Sequence, residues 1–207
     1  MSDKPVIPIF PLSLVVLPGE LRPLHIFEER YKAMIAYCRE RESVFGISAS
    51  RGNEVSNVGC AVEITRITQE YDDGRLDILT VGSRRYRVIE VYQDQPYLTA
   101  TVDFFEDEPE QVDPELRQRA RSGRARFFEL MGEPGWSLEE RDVPDDSFGL
   151  TRGIDLPLEF KQQLLESGSE QTRLELLCDQ FSGLIPELAQ KRETVNKARS
   201  NGRAKGL

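Results

Sequence analysis

The residues best suited to acid, base or nucleophilic chemistry are few in this sequence of 207 residues. It contains one histidine, His25, and three cysteines, Cys38, Cys60 and Cys178. A histidine base would need a nucleophile and an orienting acid close by, and no sequence motif marks either of them. We therefore expect a structural or surface role for His25. Cys38 falls among apolar residues at helical spacing, which favours a packing role.

Metal and nucleotide sites have spacing signatures that this sequence lacks. The single histidine and the scattered cysteines form no Cys-x-x-Cys or His-x-x-x-His pair, so we expect no structural zinc. No glycine precedes Lys-Ser or Lys-Thr, and no Gly-x-Gly-x-x-Gly follows a predicted strand. The glycine backbones that cradle phosphate are therefore missing. Adjacent acids such as Asp72 and Asp73 point in different directions and are expected to be solvated. The sequence predicts no cofactor and no catalytic residue.

The charge of the chain argues against a nucleic-acid partner. The formal net charge is −9 and the isoelectric point is about 4.9, which opposes binding to phosphate backbones. One basic patch interrupts the acidic background, at Arg84-Arg85-Tyr86-Arg87. In a strand, Arg85 and Arg87 would share one face and Arg84 and Tyr86 the other. We expect a solvated strand face paired with acids, and RNA contact is the alternative.

Composition and the N-terminus indicate a cytoplasmic globular protein. No run approaches the roughly 20 apolar residues of a bilayer span, so no membrane association is predicted. Asp3, Lys4, Pro5 and Pro8 do not follow the basic-then-apolar layout of a secretory signal. An odd number of widely spaced cysteines is typical of reduced, partly buried thiols rather than of a disulfide framework.

Short strands dominate the predicted first half of the chain. A helix is predicted from Glu28 to about Arg41, because Tyr31, Met34, Ile35 and Cys38 form one apolar stripe. Asp72-Asp73-Gly74 predicts a hairpin turn, and Gly82-Ser83 predicts a break between two strands. Strands with turns between them and one early helix predict a strongly bent sheet or small barrel. The predicted strands cover residues 6–10, 15–17, 21–24, 43–48, 60–65, 76–81, 86–91 and 97–105.

The second half of the chain is predicted to be helical. The acidic stretch 106–110 marks a boundary, and Asp113-Pro114-Glu115 is a helix-start signature. Residues 132–146 are predicted to form a loop, within which Trp136 is expected to cap the core, with an exposed position as the alternative. Lysines and arginines with almost no apolar residue predict a solvated, frayed tail, with a docking site as the alternative. We therefore predict three regions: a β-barrel subdomain at 1–106, an α-helical subdomain at 107–190 with helices at 113–131, 147–153, 158–166 and 170–185, and a basic flexible tail at 191–207.

The opening of the chain carries a pattern specific to one family. Residues 8–12 read Pro-Ile-Phe-Pro-Leu, residues 18–19 are Pro-Gly, and residues 23–28 read Pro-Leu-His-Ile-Phe-Glu, with Arg30 and Tyr31 close behind. This block resembles the N-terminal, substrate-binding domain of Lon-type ATP-dependent proteases. The resemblance extends over residues 6–188, through Phe45-Gly46-Ile47, Gly59-Cys60-Ala61, Asp73-Gly74, Gly82 to Val88 and the leucine-rich helices.

This resemblance implies both a fold and a function. The implied fold is α+β: a pseudouridine-synthase-and-archaeosine-transglycosylase-like (PUA-like) small β-barrel with one helix, followed by a C-terminal helical bundle. The implied function is non-catalytic recognition of polypeptide, meaning unfolded or tagged proteins, as an adaptor in protein quality control. Its partners would be polypeptide substrates or a protease. We expect a free-standing Lon-domain protein or an excised N-terminal region, without ATPase, Ser-Lys peptidase or other hydrolase activity. Assembly into a homo-oligomer is an alternative to a monomer.

Polypeptide recognition requires an apolar groove or an exposed sheet edge that accepts an extended chain. The candidate residues are Phe10, Leu12, Leu14, Phe27 and Tyr31, each of which also suits a position in the core. No family motif fixes ligand contacts, so the sequence assigns no substrate-binding residue.

Overall fold

The computed structural model describes residues 4–52, 54–132 and 144–203, with side chains described as far as residue 194. Three of the sequence predictions fall wholly or mostly outside this range: the loop at 132–146, the capping role of Trp136 within it, and the last four residues of the basic tail. Contacts between Cα atoms divide the chain into two compact units. The first comprises Met1–Asp107 with Ile154–Gly168, and the second comprises Glu108–Gly153 with Ser169–Leu207.

One mixed sheet of six strands forms the framework of the first unit. Its strands are β1 (Val6–Leu12), β2 (Leu21–Ile26), β3 (Phe45–Arg51), β4 (Glu54–Glu70), β5 (Leu76–Tyr92) and β6 (Leu98–Phe104). β1 and β3 are parallel, and the other paired strands are antiparallel. β6 pairs with both β1 and β5, so the ladder β5-β4-β3-β1-β6 returns to its own first strand. Within the described residues, β2 is attached to β5 alone.

Two predictions about these strands are wrong. The apolar run Val15–Leu17 is buried, but it has no ladder partner in the described sheet. The backbone N–H of Leu17 donates instead to the carboxylate of Glu20, at 3.0 Å. The predicted break at Gly82 is also absent, since β5 runs through it. A Cβ atom on Gly82 would collide with the backbone oxygen of Leu17. Glycine therefore serves here to let the buried coil pass against the strand.

The predicted first helix is confirmed as α1 (Glu29–Glu40), and its buried residues are Tyr31, Met34, Ile35 and Cys38. The helix ends in a Schellman motif, in which Ser43 N donates to Cys38 O at 2.9 Å and Glu42 N donates to Arg39 O at 3.4 Å. The left-handed position of this motif is usually glycine. Here Glu42 occupies it, with φ +49°.

Tyr86 lies at the centre of the core within the sheet. It is fully buried among Ile7, Ile9, Ala61, Ala100 and Val102. Its hydroxyl lies 2.8 Å from Ser48 Oγ, and burial raises the pKa of this phenol. A Cβ atom on Gly46 would lie 2.5 Å from the tyrosine hydroxyl oxygen, and one on Gly59 would lie closer still. Both glycines are needed because the phenol ring occupies the space beside them.

In the described part of the chain, four helices follow the sheet: α2 (Pro114–Met131), α3 (Ser147–Leu150), α4 (Leu158–Glu166) and α5 (Glu170–Arg203). The side chain of Asp113 accepts a hydrogen bond from Glu115 N at 2.9 Å, which confirms the predicted start of α2. Within the second unit, α2 and α3 both contact α5. None of the helices in the described part combines the length and apolarity that crossing a bilayer requires.

The helical region differs from the prediction in two ways. Residues 154–168, which we assigned to the helical subdomain, belong to the first unit. Lys161 Nζ lies 2.8 and 2.6 Å from the two carboxylate oxygens of Glu20, and Gln162 Nε2 donates to Ser56 Oγ at 2.7 Å. The second difference is that α5 continues to Arg203, beyond the predicted end at residue 185 and into the predicted flexible tail. Beyond residue 185, α5 is rich in glutamate, glutamine, lysine, arginine and alanine, which are good helix formers and sustain this part of the helix without an apolar stripe.

Candidate functional site

The five apolar candidates from the sequence divide between the core and the surface of the first unit. Phe10 and Tyr31 are 6% and 7% exposed, and their rings pack together with centroids 4.0 Å apart. Leu12 and Leu14 are half-buried. Phe27 is 59% exposed. Of the five, Phe27 is therefore the one that can offer most of its side chain to a ligand.

Phe27 continues a stripe of exposed residues along β2. Leu21, Pro23 and His25 are exposed, whereas in the alternate positions Arg22 is half-buried and Leu24 and Ile26 are buried. Successive side chains of a strand point to opposite sides of the sheet. Leu21, which is 60% exposed, therefore shares the outer side of the sheet with Pro23 and His25, and Phe27 follows at the same spacing.

Strand β5 widens this stripe into a surface. Val81 is paired with Leu21, and Leu79 is paired with Pro23. Both β5 side chains are half-buried. In the next strand, Glu63 and Arg66 are paired with Val81 and Leu79 and border the apolar area with charge. We call the outer surface formed by Leu21, Pro23, His25, Phe27, Leu79 and Val81 the β2 face.

His25 is fixed within the β2 face by aromatic and polar contacts. Its Nδ1 lies 2.5 Å from Asp77 Oδ1, and the hydroxyl of Tyr71 donates to Asp77 Oδ2 at 2.7 Å. The hydrogen bond with His25, and then that with Tyr71, lowers the pKa of Asp77. The imidazole also stacks on Phe27, with ring centroids 5.9 Å apart. Among the described residues, no hydroxyl or thiol is hydrogen-bonded to the imidazole. The arrangement orients His25 as part of an aromatic surface.

The basic patch does not form a continuous basic surface. Arg84 lies over the ring of Phe104 at 3.9 Å. Arg85 is 5% exposed, and its guanidinium donates to Asp107 at 2.5 Å, to Leu165 O at 3.3 Å and to Ser167 O. The expected solvated face is therefore wrong for Arg85. Its burial removes the central cation from the RNA-binding alternative, which needs exposed positive charge.

The three cysteines are free and buried, as predicted for reduced thiols, and Cys38 lies in the core as its position on the apolar stripe predicted. Burial raises the pKa of the Cys38 thiol to about 11 and that of the Cys60 thiol to about 12. Because the thiolate is the nucleophilic form, neither group is activated at neutral pH. Among the residues that the structure describes, no three His, Cys, Asp or Glu side chains converge in a way that could hold a metal ion.

Two further clefts lie among the described residues of the first unit, and the first of them reaches the charged border of the β2 face at Glu63 and Arg66. One of about 600 Å³ lies between the end of α1 and β4 and is lined by Cys38, Val44, Ile64 and Arg66. The other, of about 390 Å³, lies between α4 and the β3–β4 hairpin. Charged side chains line both clefts, among them Arg39 and Glu42 in the first and Arg51 and Glu54 in the second, whereas the charged side chains beside the β2 face lie at its border. The β2 face is therefore the better candidate for contact with an extended apolar chain.

Sequence reasoning identified Phe27 but missed Leu21 and Pro23. Residues 21–27 read Leu-Arg-Pro-Leu-His-Ile-Phe, so apolar side chains occupy both alternating sets of positions. Such a pattern does not say which set is buried. Pro23 is the one feature of this segment that indicated an exposed edge strand, because proline within a strand is found mainly at edge positions.

Comparison with known proteins identifies a family that matches most of the chain. The family model described as "ATP-dependent protease La (LON) substrate-binding domain" matches residues 6–181. Lon protease 2 of Myxococcus xanthus is 28% identical over 84% of this chain. Lon protease of Anaeromyxobacter dehalogenans is 27% identical over 84% of it. The match spans 23% and 22% of these two relatives, so the chain corresponds to less than a quarter of their length.

Solved structures show the same fold. The Lon N-terminal domain protein from Xanthomonas campestris superposes with a TM-score of 0.66 at 26% identity, over 84% of this chain and 96% of that one. The N-terminal domain of the Mycobacterium avium complex Lon protease also gives a TM-score of 0.66, at 18% identity, over 86% of this chain and 98% of that one. The second comparison supports the fold alone.

Proposed function

Because the chain belongs to the ATP-dependent protease La (LON) substrate-binding domain family, we propose that it binds polypeptide and that the β2 face is the binding surface. The ligand is an exposed apolar segment of an unfolded or tagged protein. The family supports a substrate-binding role. The chemistry of the β2 face supports polypeptide as the substrate.

The observation that carries this proposal is the exposure of Leu21 and Phe27 in one stripe. They are 60% and 59% exposed, in a unit whose other leucines and phenylalanines are buried or half-buried. Scattered apolar residues on a surface need no explanation, but a continuous patch indicates an interaction site. Here the patch continues over Leu79 and Val81 of the neighbouring strand.

The energetics favour weak and adaptable binding. Fully burying a leucine or phenylalanine side chain contributes about 1.5–3 kcal/mol. Association itself costs at least about 4 kcal/mol. A few such contacts therefore give dissociation constants on the order of micromolar or weaker. That range suits a protein that samples many unfolded chains and releases them.

The proposed role is recognition without catalysis. The corresponding region of the relatives belongs to a Lon protease. We propose that this chain presents its ligand as an adaptor, in the cytoplasm, to a protease that supplies ATP hydrolysis and peptide cleavage. We also propose that the closed ladder of five strands is a small barrel of the PUA-like type, with the helices of the second unit as its C-terminal helical part.

A binding experiment tests the proposed function. The labelled ligand is a reduced and carboxymethylated protein that cannot refold, and fluorescence anisotropy measures its binding. The double variant Leu21→Ser/Phe27→Ser should weaken binding at least tenfold. The matched control is Ile89→Ser/Val91→Ser, which removes two residues of 51% and 52% exposure on the same unit, outside the β2 face. Absence of saturable binding by the natural sequence, or equal losses in the two double variants, would contradict the proposal.

A further inference from the structure

The two edges of strand β2 differ in their hydrogen-bonded partners. Along one edge, six consecutive residues pair with β5, from Leu21 opposite Val81 to Ile26 opposite Leu76, without a register shift. Along the other edge, no strand among the described residues pairs with β2. Such an edge offers unpaired backbone N–H and C=O groups to another chain.

The hydrogen bonds at the start of β2 show which groups face this open edge. Gly82 N donates to Glu20 O at 2.9 Å, and Thr80 Oγ1 donates to Arg22 O at 2.8 Å, so Glu20 and Arg22 turn their carbonyl groups toward β5. Backbone groups of an antiparallel strand alternate in direction. The backbone groups of Leu21, Pro23 and His25 therefore point away from β5, toward the open edge. The open edge presents three carbonyl groups and two N–H groups, since Pro23 has none.

The other open edge in this part of the sheet is built differently. Beyond Val62, β4 pairs with β5 alone, and its register shifts between Ile64 and Arg66 and again between Ile67 and Gln69. Bulges of this kind twist an edge and discourage further pairing. β2 has no such irregularity, so its edge is the one that can extend the sheet.

The charges beside β2 are already paired within the protein. Glu20 accepts hydrogen bonds from Lys161 and from Arg22, the latter at 2.6 Å. His25 is paired with Asp77. The edge is therefore locally neutral and lies beside an apolar face. The complementary partner is an uncharged segment with apolar side chains at every second position.

We propose that an extended segment of a client polypeptide adds to the open edge of β2 as a further strand. Its backbone bonds to Leu21, Pro23 and His25, and its alternate apolar side chains lie on the β2 face. This inference rests on the proposed function and adds a binding mode and a sequence preference to it. Every second residue of an added strand turns its N–H toward the edge of β2, whether the two strands are parallel or antiparallel. Half of the ligand's backbone N–H groups are therefore essential for binding.

Selective N-methylation tests this binding mode. The probe is a terminally blocked, fluorescent peptide of alternating valine and threonine, about eight residues long so that it covers β2. One derivative carries N-methyl groups on every valine and the other on every threonine. One derivative should bind at least tenfold more weakly than the parent peptide, and the other should bind within threefold of it. Equal losses in both, no loss in either, or no binding of the parent peptide would overturn edge pairing.

A variant of the protein provides a test that does not depend on a loss of folding. Pro23→Val adds the missing N–H to the open edge and keeps an apolar side chain, so the probe should bind about threefold to tenfold more tightly. The matched control is Pro96→Val, at an exposed loop position. Equal or weaker binding to the Pro23→Val variant would contradict the proposal. Sedimentation of the natural protein as a dimer that the probe dissociates would assign the edge to a second copy of the chain instead.

The two proposals fail in distinguishable ways. If neither the probe nor the carboxymethylated protein binds, the proposed function itself is wrong. If the carboxymethylated protein binds and Leu21→Ser/Phe27→Ser abolishes that binding, but N-methylation has no selective effect, the β2 face binds through side chains alone.

Discussion

Lys161 donates to both carboxylate oxygens of Glu20, at 2.8 and 2.6 Å, across 141 positions of sequence. Glu20 also accepts from Leu17 N and from the guanidinium of Arg22. A single carboxylate thus connects α4, the buried coil before β2, and β2 itself. This contact fixes the start of the β2 face.

Replacing Lys161 by Met should lower the free energy of unfolding of the first unit by about 1–3 kcal/mol, because Glu20 would keep a carboxylate with fewer partners in a poorly solvated position. Urea titration followed by far-ultraviolet circular dichroism measures the change. Arg51→Met is the control, since the side chains of Arg51 and Glu159 are 84% and 65% exposed. Such exposed pairs contribute little. Equal effects of the two variants would contradict the role assigned to Lys161.

Gly59→Ala should destabilise the protein by about 1–3 kcal/mol, because the added methyl group would overlap the ring of Tyr86 and the backbone oxygen of Ile47. Thermal unfolding measured by calorimetry would report the loss. Gly168→Ala is the matched control, since a Cβ atom there meets nothing within 4 Å. If Gly59→Ala leaves the unfolding temperature unchanged, the close approach of Tyr86 is not a constraint.

Glu42→Gly should increase the free energy of unfolding by about 0.5–1 kcal/mol. A left-handed conformation costs an L-residue about 1–2 kcal/mol, and the greater chain entropy of glycine offsets part of the gain. Arg41→Gly provides the contrast, because Arg41 has φ −103° and needs no such relief. Chemical denaturation of both variants should show opposite signs, and destabilisation by Glu42→Gly would refute the argument.

The Cys60 thiol should make the protein less stable in alkali. Burial raises its pKa from 9.0 to about 12, so the unfolded state ionises first and binds fewer protons than the folded state. Its contribution is fully present below pH 9 and is lost as the pH rises from 9 toward 12. Cys60→Ala should show a shallower fall in the free energy of unfolding across this window. Parallel pH profiles for the two proteins would exclude this contribution.

The parts of the fold that the sequence predicted are those with local signals. The stripe Tyr31, Met34, Ile35 and Cys38 specified α1, and Gly74, with φ +79°, specified the turn between β4 and β5. Val15–Leu17 has the composition of a strand but lacks a partner, and partnership is a property of the whole sheet. The attachment of α4 to the first unit depends on pairs such as Lys161 with Glu20, which no local pattern reveals.

The candidate site was predictable only in part. Phe27 was identified as an apolar candidate, but its exposure is decided by the side of the sheet to which β2 turns its alternate residues. That choice depends on pairing with Val81, Leu79 and Asp77, which lie more than 50 residues further along the chain. The open edge of β2 is likewise visible only once the order of the strands is known.

The composition of the first unit from two separate stretches of chain has a consequence for folding during synthesis. Ile154–Gly168 leaves the ribosome only after α2 and α3 have been made. The partners of Glu20 and Arg85 in that stretch are therefore missing while the sheet is being assembled. Domains usually fold in the order in which they are translated. The contact between Lys161 and Glu20 therefore forms only after much of the second unit has already emerged.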